Sequence, residues 1–168
     1  MCGIAGHWSV HSLVESEQLT RNVEAMCQAV KHRGPDSHGM YTDASASIAL
    51  GHQRLSILDI ESGQQPISNQ TKDIWLVFNG EIYNYQALRS TLQSKGYTFA
   101  TKSDSETIVY AYQEWGEDCV SHLQGMFAFA IWDQKQRSLF CARDRLGIKP
   151  FYYFWNHIDF VFCSEIKG

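Results

Sequence analysis

The sequence predicts a layered α+β domain in which antiparallel sheets are covered by helices. Three observations carry that expectation. Helical patterns cluster in the first two thirds of the 168-residue chain. Strand patterns occur at both ends. The two do not alternate strictly, as a parallel βαβ sheet would require.

The first strand is expected over 3–10 and a helix over 16–31. Leu19, Val23, Met26, Cys27 and Val30 fall on one face at helical spacing. Ser16 is placed to cap this helix, and Gly34-Pro35 ends the segment. Two short strands rich in Ile and Leu follow, over 46–52 and 54–60. Ile74-Trp75-Leu76-Val77-Phe78 is a continuous apolar run, the pattern of a strand covered on both faces. It is expected to end at Asn79-Gly80, a pair that readily takes positive φ. Asn84 can cap a helix that carries Leu88 and Leu92 and stops at Gly96. Asp104 or Ser105 can cap another, with Ile108, Val109 and Tyr112, that ends at Gly116. The last third reads as antiparallel strands over 126–133, 138–143, 151–155 and 159–163.

Composition narrows the function classes. The chain is 44% hydrophobic and 19% charged, ordinary for a globular domain. Its net charge of -4 and lack of a basic run argue against a nucleic-acid partner. No stretch approaches the roughly 18 apolar residues of a membrane helix. The N-terminus lacks the basic start and apolar run of a secretory signal, so a cytoplasmic location is expected. Five scattered cysteines without a Cys-x-x-Cys pair argue against a disulfide framework and against a zinc site. Cys27, Cys141 and Cys163 read as small buried hydrophobes. The chain stops at Gly168 without a polar tail, and its natural sequence is expected to continue.

Cys2 is the residue most open to a chemical role. Removal of Met1 would give residue 2 both a thiol and a free α-amine. Their reference pKa values are about 8.5 and about 7.7–8.0. The amine would then be a general base held covalently beside the nucleophile. Thiolate attack on an amide creates an oxyanion that needs hydrogen-bond donors. Asn79-Gly80 pairs a side-chain amide with an unhindered backbone N–H, though Asn-Gly is also a frequent turn. Arg54 could grip a carboxylate and Asp104 an ammonium. Each could equally be a surface ion-pair partner or a helix cap.

Several motifs then occur in order: Cys2-Gly3-Ile4-Ala5-Gly6, His32-Arg33-Gly34-Pro35-Asp36 and Gly51-His52-Gln53-Arg54-Leu55-Ser56-Ile57. Asn79-Gly80-Glu81-Ile82-Tyr83-Asn84, Ser103-Asp104-Ser105-Glu106 and Gln124-Gly125-Met126-Phe127-Ala128-Phe129-Ala130 follow, and Arg143-Asp144-Arg145-Leu146-Gly147-Ile148-Lys149-Pro150 completes the series. Together they resemble class II glutamine amidotransferases. Within that class they look most like the glutaminase domain of glutamine-dependent asparagine synthetase. The resemblance covers essentially the whole chain.

It implies the N-terminal nucleophile hydrolase fold, a four-layer αββα sandwich of two antiparallel sheets between helical layers. It also implies one glutaminase domain over 1–168, with an ATP-dependent synthetase domain beyond Gly168. By resemblance Cys2 is the nucleophile, Asn79 and Gly80 form the oxyanion hole, and Arg54 clamps the α-carboxylate of L-glutamine. Glu81 and Asp104 match positions at the amino end. The segment Arg54, Leu55, Ser56, Ile57 and Leu58 matches a pocket lining that acts through backbone groups. The His32–Asp36 motif is given a structural task, and the 143–150 loop is expected to face the synthetase domain.

No cofactor or metal is expected in this domain; ATP and magnesium belong to the synthetase domain. L-glutamine and that domain are the expected partners, without nucleic acid or membrane, and homodimerisation is left open. Two alternatives stand beside this reading. The same glutaminase could serve another carboxylate acceptor, or the domain could be a non-catalytic regulatory module.

Overall fold

The computed structural model describes residues 2–11, 14–55 and 63–168. Among these residues, two antiparallel sheets are formed. Strands β1 (Gly3–Ser9), β2 (Ser37–Asp43), β3 (Ile48–Arg54), β8 (Tyr152–Trp155) and β9 (Asp159–Cys163) make a five-stranded sheet in the order β2-β3-β1-β9-β8. Strands β4 (Ile67–Ser68), β5 (Ile74–Ile82), β6 (Gly125–Asp133) and β7 (Ser138–Arg143) make a four-stranded sheet in the order β4-β5-β6-β7. The helices are α1 (Ser16–Ala29), α2 (Tyr85–Ser94), α3 (Asp104–Trp115) and the single turn α4 (Cys119–His122).

Period-two alternation sorts the strands' side chains into layers. In β6, Phe127, Phe129 and Ile131 pack with Leu88, Leu92, Ile108 and Val109 of the helices. The intervening Ala128, Ala130 and Trp132 face the other sheet and meet Ile4, Ile48, Leu50 and Phe162. On the far side, Ala5 and Ala49 lie under Leu19, Val23 and Cys27 of α1. The order is therefore α1, five-stranded sheet, four-stranded sheet, α2 with α3. That is the expected αββα sandwich. The α1 stripe is the one read from helical spacing, because residues four apart share a face.

Several boundaries differ from the expectation. Helix α1 ends at Ala29 rather than at residue 31, and Lys31–Arg33 tighten into a 3-10 turn. Ser16 lies inside α1; Glu15 occupies the cap position, and no side chain caps it. Strand β2 went unrecognised in the sequence. It is a sheet-edge strand of mostly half-buried residues, so it shows no alternation to read. Arg54 closes β3 instead of opening a second strand, because the pairing with β1 begins only after the turn at Ser47, where φ is 52°. The rest of that expected strand, 56–60, lies outside the described residues.

The largest correction concerns Asn79-Gly80. The pair is not a turn: β5 runs through it to Ile82, with Asn79 opposite Ala128 and Gly80 opposite Phe127. Neither residue has positive φ. Gly80 serves close approach instead, since a Cβ there would overlap the carbonyl oxygen of Met126. Gly96 and Gly116 do take positive φ, 99° and 59°, as expected of helix ends.

Candidate active site

The site lies at one end of the sandwich, where both sheets and the start of α3 contribute. Cys2 immediately precedes β1. Beside it opens a cavity of ≈ 100 Å³, walled by Arg54, Leu55, Asn79, Gly80, Glu81 and Asp104 among others. The structure therefore brings seven of the ten expected residues to one place. Ser56, Ile57 and Leu58 lie outside the described residues.

The nucleophile candidate is held from two sides. Cys2 Sγ faces the Leu55 carbonyl at 3.7 Å, and Arg33 Nε donates to the Cys2 carbonyl at 3.0 Å. The Arg33 side chain is largely covered and also pairs with Glu165 at 3.0 Å. The expectation gave the His32–Asp36 motif only a structural task. Gly34 meets it: a Cβ there would overlap the backbone of Gln53, so the turn can pass beneath the end of β3. Arg33 adds a direct hold on Cys2 that sequence reasoning missed. Its distance from Cys2 along the chain left no local signal. None of the described cavity residues is a histidine. His52 comes near in sequence, but burial lowers its pKa to about 4 and its Nε2 donates to the Phe78 carbonyl at 3.1 Å. It is a neutral tie between the sheets.

Two donors face the cavity without a protein acceptor. Asn79 Nδ2 is buried and has no hydrogen-bond partner among the described residues. Gly80 N–H follows from strand geometry. Tyr83 N–H bonds the Gln124 carbonyl, so odd-numbered residues of β5 turn their backbone groups toward β6 and even-numbered ones turn away. Phe78 N–H is met by Gln65 Oε1 at 2.6 Å and Ile82 N–H by Asp104 Oδ2 at 2.9 Å. Gly80 N–H lies between them on the same edge, and no described residue accepts it. A buried N–H or amide left unmatched is costly, so the pair suits an acceptor brought by a ligand.

Asp104 stands at the acidic end. It is the first residue of α3, not its cap. Ser103 caps the helix and accepts from Glu106 N–H at 3.4 Å, while Glu106 reaches back to the N–H groups of Ala100 and Thr101 at 2.8 and 2.7 Å. The segment Ser103-Asp104-Ser105-Glu106 has the capping-box sequence, but Glu106 holds the preceding loop while Ser103 N–H donates to Thr101 Oγ1 at 3.2 Å. It frees Asp104 to meet Ile82 and the cavity. Burial raises the Asp104 pKa, Glu81 adds to the rise, and backbone N–H donors oppose it. An ammonium ligand would counter that rise. Arg54 is buried in the wall at the end of β3. Among the described residues no cluster of three or more His, Cys, Asp or Glu could hold a metal ion.

A cysteine at the chain start, two unmatched donors and an acid–arginine pair in one cavity agree with a family comparison. The model described as a glutamine amidotransferase domain matches residues 1–168. The chain belongs to the glutamine amidotransferase domain family. These are enzyme domains. The chain is 44% identical over its whole length to the asparagine synthetase [glutamine-hydrolyzing] 1 of Bacillus subtilis, and covers 26% of that protein. It is 41% identical to asparagine synthetase B [glutamine-hydrolyzing] of Escherichia coli, covering 30% of it. The chain thus spans about a quarter to a third of these relatives. The solved B. subtilis glutamine phosphoribosylpyrophosphate amidotransferase superposes over 98% of the chain and 42% of its own, with TM-score 0.76 and 21% identity. That likeness shows the fold of this amidotransferase domain. Among the described residues no helix is long and apolar enough to cross a membrane.

Proposed function

We propose that this domain hydrolyses L-glutamine to glutamate and ammonia through a γ-glutamyl thioester on Cys2. The observation that carries the proposal is the pair of unmatched donors, Asn79 Nδ2 and Gly80 N–H, in the cavity beside Cys2 Sγ. With Met1 removed, the α-amine of Cys2 takes the thiol proton. The thiolate attacks the γ-carbon, and the resulting oxyanion accepts from Asn79 and Gly80. The C–N bond then breaks, and the amine proton leaves with ammonia. Water, deprotonated by the same amine, attacks the thioester and displaces Sγ to give glutamate. Arg54 holds the α-carboxylate, while Asp104 and Glu81 hold the α-ammonium. Arg33 fixes the backbone from which the thiol projects.

The relatives' names support the next step. The ammonia goes to an ATP-dependent synthetase domain beyond Gly168, which activates aspartate as an acyl-adenylate and yields asparagine. ATP and magnesium act there, and the enzyme works in the cytoplasm. The test is glutamate release from L-glutamine by the purified full-length protein and its Cys2→Ala variant, with the N-terminus checked by intact mass. Activity is expected only in the processed protein with Cys2. Equal activity in the variant, or full activity with Met1 retained, would sink the mechanism.

A further inference from the structure

The cavity contains a charged group that the proposed mechanism does not use. Lys149 lines it together with Cys2, Asn79 and Gly80, and is only 5% exposed. Its ammonium forms no hydrogen bond or ion pair with any described residue. Glu81 and Asp104 share the cavity but do not pair with it. The ammonium is not fully enclosed and opens onto the cavity, where a ligand that brings negative charge can accept from it.

Lys149 does not wander into this position. Asp144 is buried and accepts from Ile148 N–H at 2.9 Å, Lys149 N–H at 3.0 Å and Phe127 N–H at 3.2 Å. Arg143 Nε donates to the Lys149 carbonyl at 2.6 Å, and Gly147 turns the loop with φ of 65°. The 143–150 segment, read in the sequence as a loop toward another domain, therefore also delivers a side chain to this cavity. One carboxylate oxygen ties Lys149 to Phe127, and Phe127 lies opposite Gly80 in the ladder. The latch thus fixes the Lys149 backbone beside the strand that pairs with Gly80, and its side chain lines the cavity with Asn79 and Gly80. The groups assigned to the amino-acid end enter from β3, from the end of β5 and from the start of α3.

Charge changes at the γ-group as the reaction runs. The γ-amide of glutamine is neutral, whereas the γ-carboxylate of glutamate is anionic. We propose that Lys149 Nζ binds the γ-oxygen charge, donating to the carboxylate of the product glutamate. The proposal rests on the glutaminase reading. It makes the site sensitive to its own product: glutamate, but not glutamine, gains a charge-assisted hydrogen bond.

Glutamine and glutamate share the α-end and differ only at the γ-group, so comparing them isolates the Lys149 contact. The test measures binding of both to the full-length protein by calorimetry, in a Cys2→Ala background that prevents turnover. Lys149→Met should weaken glutamate binding by roughly tenfold or more, the size of one hydrogen bond to a charged group. Glutamine binding should change less than about twofold, and Lys149→Arg should retain most of the glutamate affinity. Retained glutamine binding also reports an intact site. If Lys149→Met does not fold, Lys149→Gln is read the same way. Equal weakening of both ligands, no weakening of glutamate, or an Arg variant that behaves like the Met variant would overturn the assignment. Failure of the Lys149-containing Cys2→Ala protein to bind either ligand would remove the glutaminase reading itself.

Discussion

Asn79 shows how a single residue divides stability from function. Its amide nitrogen is buried and bonds nothing among the described residues. Removing it therefore deletes no intramolecular hydrogen bond, while the proposed reaction loses one oxyanion donor. Asn79→Ala is expected to lower glutamine turnover by roughly 10²–10³-fold, with a melting temperature close to that of the parent. Steady-state kinetics and a thermal melt on one preparation check both halves. A variant that melts much earlier would mean that Asn79 serves the fold. Gly80 behaves differently, because its missing side chain is what lets β6 pass so close.

At the scale of elements, the start of α3 places the acidic end of the site. Ser103 and Glu106 satisfy four donors between them: Glu106 N–H, the N–H groups of Ala100 and Thr101, and the Thr101 hydroxyl. Asp104 is left to hold Ile82 N–H and to face the cavity. Ser103→Ala should cost about 1 kcal/mol in stability, the usual value of such a cap. It should also raise KM for glutamine more than it lowers kcat, because the helix start carries Asp104 with it. Denaturant unfolding and steady-state kinetics measure the two effects. An unchanged KM would separate the cap from the site. Strand β5 makes the complementary contribution, since its outer edge leaves the Gly80 N–H open between the satisfied donors of Phe78 and Ile82.

At the scale of the molecule, the site depends on holding two sheets together. Cys2 enters from one sheet and its proposed oxyanion donors from the other. Fully buried Trp132 and Phe162 fill the space between the sheets, and His52 bridges them to Phe78. A second long-range tie joins Cys2 through Arg33 to Glu165, just beyond β9. Arg33, with help from His32 and against partial burial, lowers the Glu165 pKa from 4.5 to about 2. An acid whose folded pKa is depressed stabilises the fold fully above its unfolded value. That stabilisation fades as pH falls from 4.5 toward 2. The melting temperature should decline across this window, and Glu165→Gln should decline less. Parallel slopes for the two proteins would show that the tie contributes little.

The sequence by itself determined most of the elements, and through ordered motifs it pointed to the site residues. The α1 stripe, the turn glycines Gly96 and Gly116, and strands β7 and β9 were legible because helical and strand periods and chain punctuation are local properties. Strand β2 was not, because an edge strand of half-buried residues carries no alternation. Only the tertiary structure decided that Asn79-Gly80 continues a strand. The pairing of Gly80 with Phe127 and the register beyond it overrode a local turn preference. Only the fold placed Arg33 against Cys2, 31 positions away in the chain, and carried Lys149 into the cavity. Such contacts depend on how sheets stack and strands pair, so no local pattern in the sequence encodes them.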